Sequence, residues 1–310
     1  MKKQHALSFL LVVTIIFSLI LTASASEPAV IQIDSFNEYD YIERIQESSP
    51  KELEEVGLSV QEAQVIISEF YNALSERAAL SDDELHAYGY SDHQIDLLHS
   101  FAAGQTLSSS ELRSLGATCN GEIVRTYCIG KSARFSYTFT WQSCPIMTLS
   151  DSAAMRWIAY DDNGNTIGVE QSSRSISVEY HFGRSSSPVS GPAFAHYGFP
   201  TYQPNLDFNT INMQFPVYRT HMGASAVILD CYARTGTIEV TINVPKGVNQ
   251  NIHHIFVSGL YGHTLIGLGS PSVSVTPGSI GIGFTGNTSI DSIADRKATI
   301  RTDSTVVTYW

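Results

Sequence analysis

Glu179 and His181 stand two residues apart in an alternating stretch, with Ser177 two residues before them. On a β-strand that spacing puts all three on one face. Carboxylate, imidazole and hydroxyl side by side are the parts of a general-base or hydrolytic centre. Such a centre also needs a pocket and a third group to orient the base, and the sequence marks neither. The wet face of an antiparallel sheet is where Ser, Glu and His ordinarily stand. The chain has no G-x-S-x-G elbow, so a serine hydrolase of that type has no support.

The candidate metal ligands are His253, His254 and His263, with His221 further upstream. Adjacent residues on a strand point to opposite faces, so His253 and His254 cannot share one ion from a regular strand. There is no H-E-x-x-H, and no carboxylate stands at ligand spacing, so neither a metal nor a cofactor is expected. The run Asp161-Asp162-Asn163-Gly164-Asn165 has calcium-loop composition, but its Gly comes fourth and no Glu closes the loop. It reads as a hairpin turn. Gly281 to Gly286 is Gly-rich but has no following Lys, which excludes a phosphate loop.

Four cysteines, Cys119, Cys128, Cys144 and Cys231, fall in the last two thirds of the chain. In an oxidising compartment an even number predicts two disulfides with three possible pairings. Cys119 with Cys128 would staple a hairpin, and Cys144 with Cys231 would close a long loop. No C-x-x-C spacing suggests redox chemistry or a zinc knuckle. Two further features invite a function. Arg184 to Asn209 is rich in Ser, Pro and Gly, is too long for an ordinary turn, and carries Phe194, His196, Tyr197, Phe199, Tyr202 and Phe208. Aromatics on such a loop either contact a partner or sugar ring, or tie the loop to its own core. Phe194, Tyr197, Phe199 and Tyr202 are the candidate ligand contacts. Residues 271–290 alternate Val, Ile and Phe with Ser, Thr and Gly and carry no charge before Asp291. That composition suits a membrane-inserting hairpin, although its arms are shorter than the ~9–11 residues a spanning strand needs.

The elements that must position these groups differ between front and back. From Glu122 the apolar period is two. Phe135, Tyr137, Phe139 and Trp141 form one run, Ile176, Val178, Tyr180 and Phe182 a second, Ile211 to Val217 a third and Ile238 to Val244 a fourth. Alternation buries one face and wets the other, predicting antiparallel sheets. Arg234-Thr235-Gly236, Asp162-Asn163-Gly164, Pro277-Gly278 and Thr302-Asp303 read as turns between strands. Eight to eleven strands so spaced predict a β-sandwich, with a jelly roll as one form.

The front carries three copies of Ser-x-x-Glu-Leu-x-x-x-Gly, from Ser49, Ser81 and Ser108. Ser three residues before Glu is a capping box, and Gly ends the short helix it begins. Ser59-x-x-Glu62 and Ser91-x-x-Gln94 add two more boxes. The third copy ends at Thr118 and a turn signal at Asn120-Gly121, where the domain boundary is drawn. The fold expected is therefore α+β: an acidic helical region over 26–118, then an antiparallel β-sandwich over 119–310.

The net charge is −12, and it is concentrated on the helical region. An acidic face excludes nucleic acid, which needs Lys and Arg to displace counterions, and electrostatic adhesion to anionic lipid. Lys2 and Lys3, the apolar run Leu7 to Leu21 and Ala23-Ser24-Ala25 predict a secretory signal peptide over 1–25, cleaved after Ala25. The function expected is that of a secreted, non-enzymatic binding protein with a protein or glycan partner. A β-hairpin pore former, touching membrane through 271–290, and an extracellular hydrolase using Glu179 and His181 are the alternatives. The helical region could also act as a pro-segment.

Overall fold

The computed structural model describes the backbone of residues 29–55, 57–185, 192–195, 201–202, 209–222, 228–265, 272–275, 282–285, 290–301 and 306–309. Side chains are described for 35–55, 57–181, 210–218 and 231–265. The expected signal peptide over 1–25 lies outside these residues, as do Tyr197 and Phe199 and the side chains of Phe194, Tyr202 and His221.

The fold is α+β, with antiparallel sheets. Strand β1 (Ala29–Asn37) leads into six helices: α1 (Glu38–Glu47), α2 (Pro50–Glu55), α3 (Val60–Ala78), α4 (Asp82–Ala87), α5 (Asp92–Ala102) and α6 (Ser109–Leu115). Capping boxes form at Ser59, Ser81, Ser91 and Ser108. At Ser49 the same reciprocal bonds to Glu52 start α2. Burial explains why the repeat carries more than caps. Leu53, Leu85 and Leu112 are buried, and so are Leu58, Tyr90 and Ala117, which follow the repeat glycines. Gly57 and Gly89 are left-handed, at φ 81° and 87°. Gly116 is extended instead (φ −61°, ψ 132°), because the chain there leaves the helix for a strand. A side chain at Gly116 would collide with Asn37 Oδ1 at 2.8 Å and the Tyr39 amide at 2.9 Å.

The remaining strands are β2 (Thr118–Ile129), β3 (Ser132–Trp141), β4 (Ser150–Tyr160), β5 (Thr166–Ile167), β6 (Glu170–Ser185), β7 (Pro192–Ala195), β8 (Thr201–Tyr202), β9 (Asn209–Pro216), β10 (Tyr218–Met222), β11 (Ile228–Asn243), β12 (His254–Thr264), β13 (Ser272–Val275), β14 (Ile282–Thr285), β15 (Ile290–Arg301) and β16 (Val306–Tyr309). One sheet has the order β1-β2-β3-β11-β6-β7, with β10 also on β11. A second has β16-β15-β12-β4-β9-β8, with β5 on β4, and among the described residues β13 and β14 form a two-stranded sheet.

Two readings of turns need correction. Arg234-Thr235-Gly236 lies inside β11, where a β-bulge between Ala233 and Thr235 absorbs the extra residue. Asn120-Gly121 lies inside β2, opposite Ile33 to Ser35 of β1. The stretch before 118 thus begins with a strand of the first sheet, and the six helices form an excursion between two paired strands.

Side chains of the two sheets meet in one core. Phe139 of β3 stacks on Phe215 of β9 with ring centroids 5.2 Å apart, and packs on Tyr261 of β12 at 4.5 Å. Phe135 meets Trp157 of β4 edge to face at 5.7 Å. Two strand glycines make room for these rings. A Cβ at Gly259 would overlap the ring of Tyr137, and one at Gly236 would overlap that of Phe139. The expected alternation holds: Tyr137, Phe139, Ile238 and Val240 are buried. On the opposite face Thr138 bonds Thr237 at 3.0 Å, and Arg134 pairs with Glu239 at 2.6 Å.

All four cysteines are buried thiols, and no disulfide joins them. Cys119 and Cys128 sit on the same strand, ~30 Å apart at about 3.3 Å per residue, so the expected hairpin staple is geometrically excluded. Burial pushes the Cys128 thiol up to about 11, with Arg125 pulling the other way. Burial and then the Asp151 charge push Cys119 up as well.

Candidate functional site

The face of β6 that carries Glu179 and His181 is where the sequence placed possible chemistry, and the structure joins the two directly. His181 Nε2 lies 3.0 Å from Glu179 Oε1. The third member was missed by sequence reasoning. Arg234, read as part of a turn, is the extra residue of the β11 bulge, and its Nη1 lies 3.2 Å from His181 Nδ1. A bulge bends its strand and re-aims a side chain, which is how a residue outside the alternation reaches this face. A guanidinium can only donate, so Nδ1 accepts and the ring is the neutral Nε2–H tautomer, donating to Glu179. Tyr232 closes the inner side of the cluster, its ring centroid 6.2 Å from that of His181. Tyr232 is itself covered by Tyr88 at the end of α4. The outer side stays open: Glu179 is 38% and His181 23% exposed. Ser177 is on the same face, opposite Thr237, and makes no described bond to the cluster. Chemically the trio can hold a ligand by charge and hydrogen bonds. As a base, Nδ1 is covered by Arg234.

β7 runs beside this cluster. Its register sets Phe194 opposite Glu179 and Pro192 opposite His181. In the other sheet, β8 pairs with β9 and places Tyr202 opposite Ile211. Among the described residues both β7 and β8 end their sheet orders, and residues 196–200 lie between them in sequence.

A second polar group, fully buried, was not foreseen. Glu38, the first residue of α1, reads in sequence as part of an acidic surface helix, yet it has no exposure. Its Oε2 accepts the amides of Ala117 (3.0 Å) and Ile146 (2.9 Å), and its Oε1 accepts that of Met147 (2.9 Å) and His263 Nε2 (3.1 Å). His263 Nδ1 reaches Asp151 Oδ2 at 2.9 Å, and Asp151 also accepts the Thr264 amide at 3.0 Å and the Tyr261 hydroxyl. Trp141 Nε1 donates to Tyr261 at 2.8 Å. With a carboxylate at each nitrogen, both nitrogens of His263 donate and the ring is an imidazolium. Asn37, the N-cap of α1, holds the entry in place by donating to Gly116 O at 2.9 Å and Thr118 Oγ1 at 2.9 Å. Glu38, His263, Asp151, Tyr261 and Trp141 have no exposure. The role of the array is to fasten the helices to both sheets.

Burial acts to lower the His263 pKa, but the Asp151 charge and the hydrogen bonds to Asp151 and Glu38 outweigh it, pushing it up to about 10. A folded value above the ordinary 6.5 means the stabilisation is complete below pH 6.5 and lost as pH rises through about 10. Unfolding stability should therefore fall between pH 6.5 and 8.5, by up to ~1.4 kcal/mol per unit, before unfolded thiols titrate. His263→Gln should flatten that slope in urea titrations at pH 6, 7 and 8. Parallel profiles for the two proteins would refute the imidazolium assignment.

The other candidates are dispersed. The ring of His254 stacks on that of Tyr160 at 4.7 Å, and the His253 ring stands at 84° to it. Asp161 is saturated, accepting Asn163 N, Asn165 N and the Gln250 amide, and Gly164 takes φ 79°, as the predicted turn requires. Among the described residues no group of three or more His, Cys, Asp and Glu could hold a metal ion. β13 and β14 pair over four residues each, against ~9–11 for a spanning strand. A shallow depression of about 550 Å³ along Val169 to Arg174 is lined by consecutive residues, so no groups converge there.

No family model matches this chain, and no curated protein matches it. Among solved structures the chain is similar to one titled "AvmM Catalyzes Macrocyclization in Alchivemycin A Biosynthesis", at 15% identity over 54% of this chain and 80% of that one, with a TM-score of 0.20. At that TM-score the likeness carries no argument about this chain.

Proposed function

We propose that the protein is a secreted binding protein in which the two sheets form a β-sandwich capped by the acidic helices. The aromatic segment around Phe194, Tyr197, Phe199 and Tyr202 meets a protein or glycan partner. The observation that carries this reading is the edge geometry. The segment runs in sequence from β7 to β8, which among the described residues are the terminal strands of the two sheets. Terminal strands offer backbone groups without a neighbour, and aromatic rings offer contact area at low entropy cost. The half-exposed Glu179, His181 and Arg234 lie beside β7 and add polar groups for orientation.

The test is binding of the secreted chain to a panel of defined neutral and acidic oligosaccharides and extracellular proteins, followed by calorimetry. Combined Tyr197→Ala, Phe199→Ala and Tyr202→Ala replacement should weaken any binding found by at least ~100-fold, at about 1–3 kcal/mol per anchoring aromatic. The melting temperature should stay within ~2 °C of the parent. Loss of the cooperative melting transition would assign the rings to the core and end this reading.

A further inference from the structure

We propose that His181 and Arg234 form an acid-operated latch: a proton on His181 expels the Arg234 guanidinium and loosens the β11 bulge. The inference concerns this polar cluster alone and does not depend on the partner proposed above. Arg234 Nη1 lies 3.2 Å from His181 Nδ1, and only a ring nitrogen without a proton can accept that bond. On the other side of the ring, Nε2 lies 3.0 Å from Glu179 Oε1. The choice of acceptor sets Arg234 apart. Arg113 takes Asp40 and Glu43, and Arg134 takes Glu239, carboxylates that keep their charge in mild acid. Arg234 has no carboxylate partner among the described residues and relies on an imidazole, the side chain that gains a proton there.

A proton on Nδ1 turns the acceptor into a donor and sets an imidazolium against a guanidinium. Glu179 decides which cation leaves. It already bonds the ring, and the added charge makes that bond an ion pair, so His181 stays and Arg234 goes. Among the described residues no other charge holds Arg234 in place. Its neighbour on β11, Tyr232, stays neutral, because burial pushes that hydroxyl up. Tyr88 covers Tyr232 and shares a hydrogen bond with Tyr218 of β10 at 3.2 Å. α4 lies against β6, but Asp82 is taken by His99, Glu84 by Ser81 and His86 by Asp92, while Asp83 is exposed. β7, on the far side of β6, is Pro-Ala-Phe-Ala and brings no charge. Further along, Asp230 stands opposite Arg184, and β10 sets Arg219 opposite Cys231 and His221 opposite Leu229. The backbone of Arg234 can follow its side chain. Neither β3 nor β6 pairs with this residue, so it shifts without breaking a ladder pair.

The test is heteronuclear NMR on the full chain, read at the histidine ring nitrogens and at the backbone amides. At pH 8 His181 should carry its proton on Nε2 with Nδ1 bare, and at pH 5 both nitrogens should be protonated. Ala233 and Thr235 flank the bulge, and the Ala233 amide donates to Val217 O at 2.7 Å. Exchange of these two amides, corrected for the intrinsic effect of pH, should be at least ~10-fold faster at pH 5 than at pH 8. The amide of Tyr137 on β3 should show no such change. His181→Gln, whose side-chain oxygen accepts from Arg234 at either pH, should abolish the increase. Arg234→Gln should abolish it too, since a neutral amide tolerates the imidazolium. A ring protonated on Nδ1 alone at pH 8, or still neutral at pH 5, would overturn the latch. So would exchange that ignores protonation, or an increase that survives in either variant. The measurements on the parent need no replacement, so they decide the matter even if a variant unfolds.

Discussion

Glu38→Ala should lower the free energy of unfolding by about 3–5 kcal/mol, the cost of breaking a buried ion pair from one side. The truncation strands three backbone N–H groups, those of Ala117, Ile146 and Met147, together with the Nε2–H of His263. None of them has water within reach, because the whole array is buried. Each stranded donor costs ~1–3 kcal/mol, and relaxation of the 146–147 loop recovers part of that sum. Glu54→Ala, on the exposed side of α2, is the control and should change stability by less than ~0.5 kcal/mol. Urea denaturation of the two variants side by side decides the matter. A Glu38→Ala midpoint indistinguishable from that of Glu54→Ala would show that the array fastens nothing.

Gly259→Ala should cost ~3 kcal/mol, the upper end of what overpacking by one carbon ordinarily costs. The added carbon would stand 2.2 Å from Tyr137 Cδ2, and that ring has nowhere to go: Tyr137 is fully buried. Gly259 is paired on both sides, with Met155 of β4 and Arg296 of β15, so its backbone cannot retreat either. Tyr137→Leu gives the new methyl its space. The double variant should therefore be more stable than the sum of the single losses by about 1–2 kcal/mol in a double-mutant cycle. Strict additivity would mean that ring and glycine do not compete.

The local instructions in this chain were easy to read, because they act over three or four residues. Each Ser-x-x-Glu or Ser-x-x-Gln box starts a helix where the sequence puts it. The alternation of Phe135, Tyr137 and Phe139 marks the buried face of β3 correctly. Illegible were the features decided by distant partners. Glu38 looks like its acidic neighbours until loop 146–147 and β12 are placed against it. Arg234-Thr235-Gly236 has turn composition, yet Gly236 serves to admit the Phe139 ring and Arg234 is the extra residue of a bulge. A strand pattern cannot show a bulge, since one inserted residue breaks the same period that a turn would break. The cysteines illustrate a further limit. Their even number suggested crosslinks, but strand β2 holds Cys119 and Cys128 apart.

The strand pair that brackets the helices also sets an order of assembly. β1 has no neighbour until β2, about 80 residues later, has left the ribosome. Glu38 waits longer still, for His263 lies 225 positions downstream. During vectorial synthesis the helical segment therefore emerges with its own turns capped but its anchoring carboxylate unmatched. Locking of Glu38 therefore waits for β12.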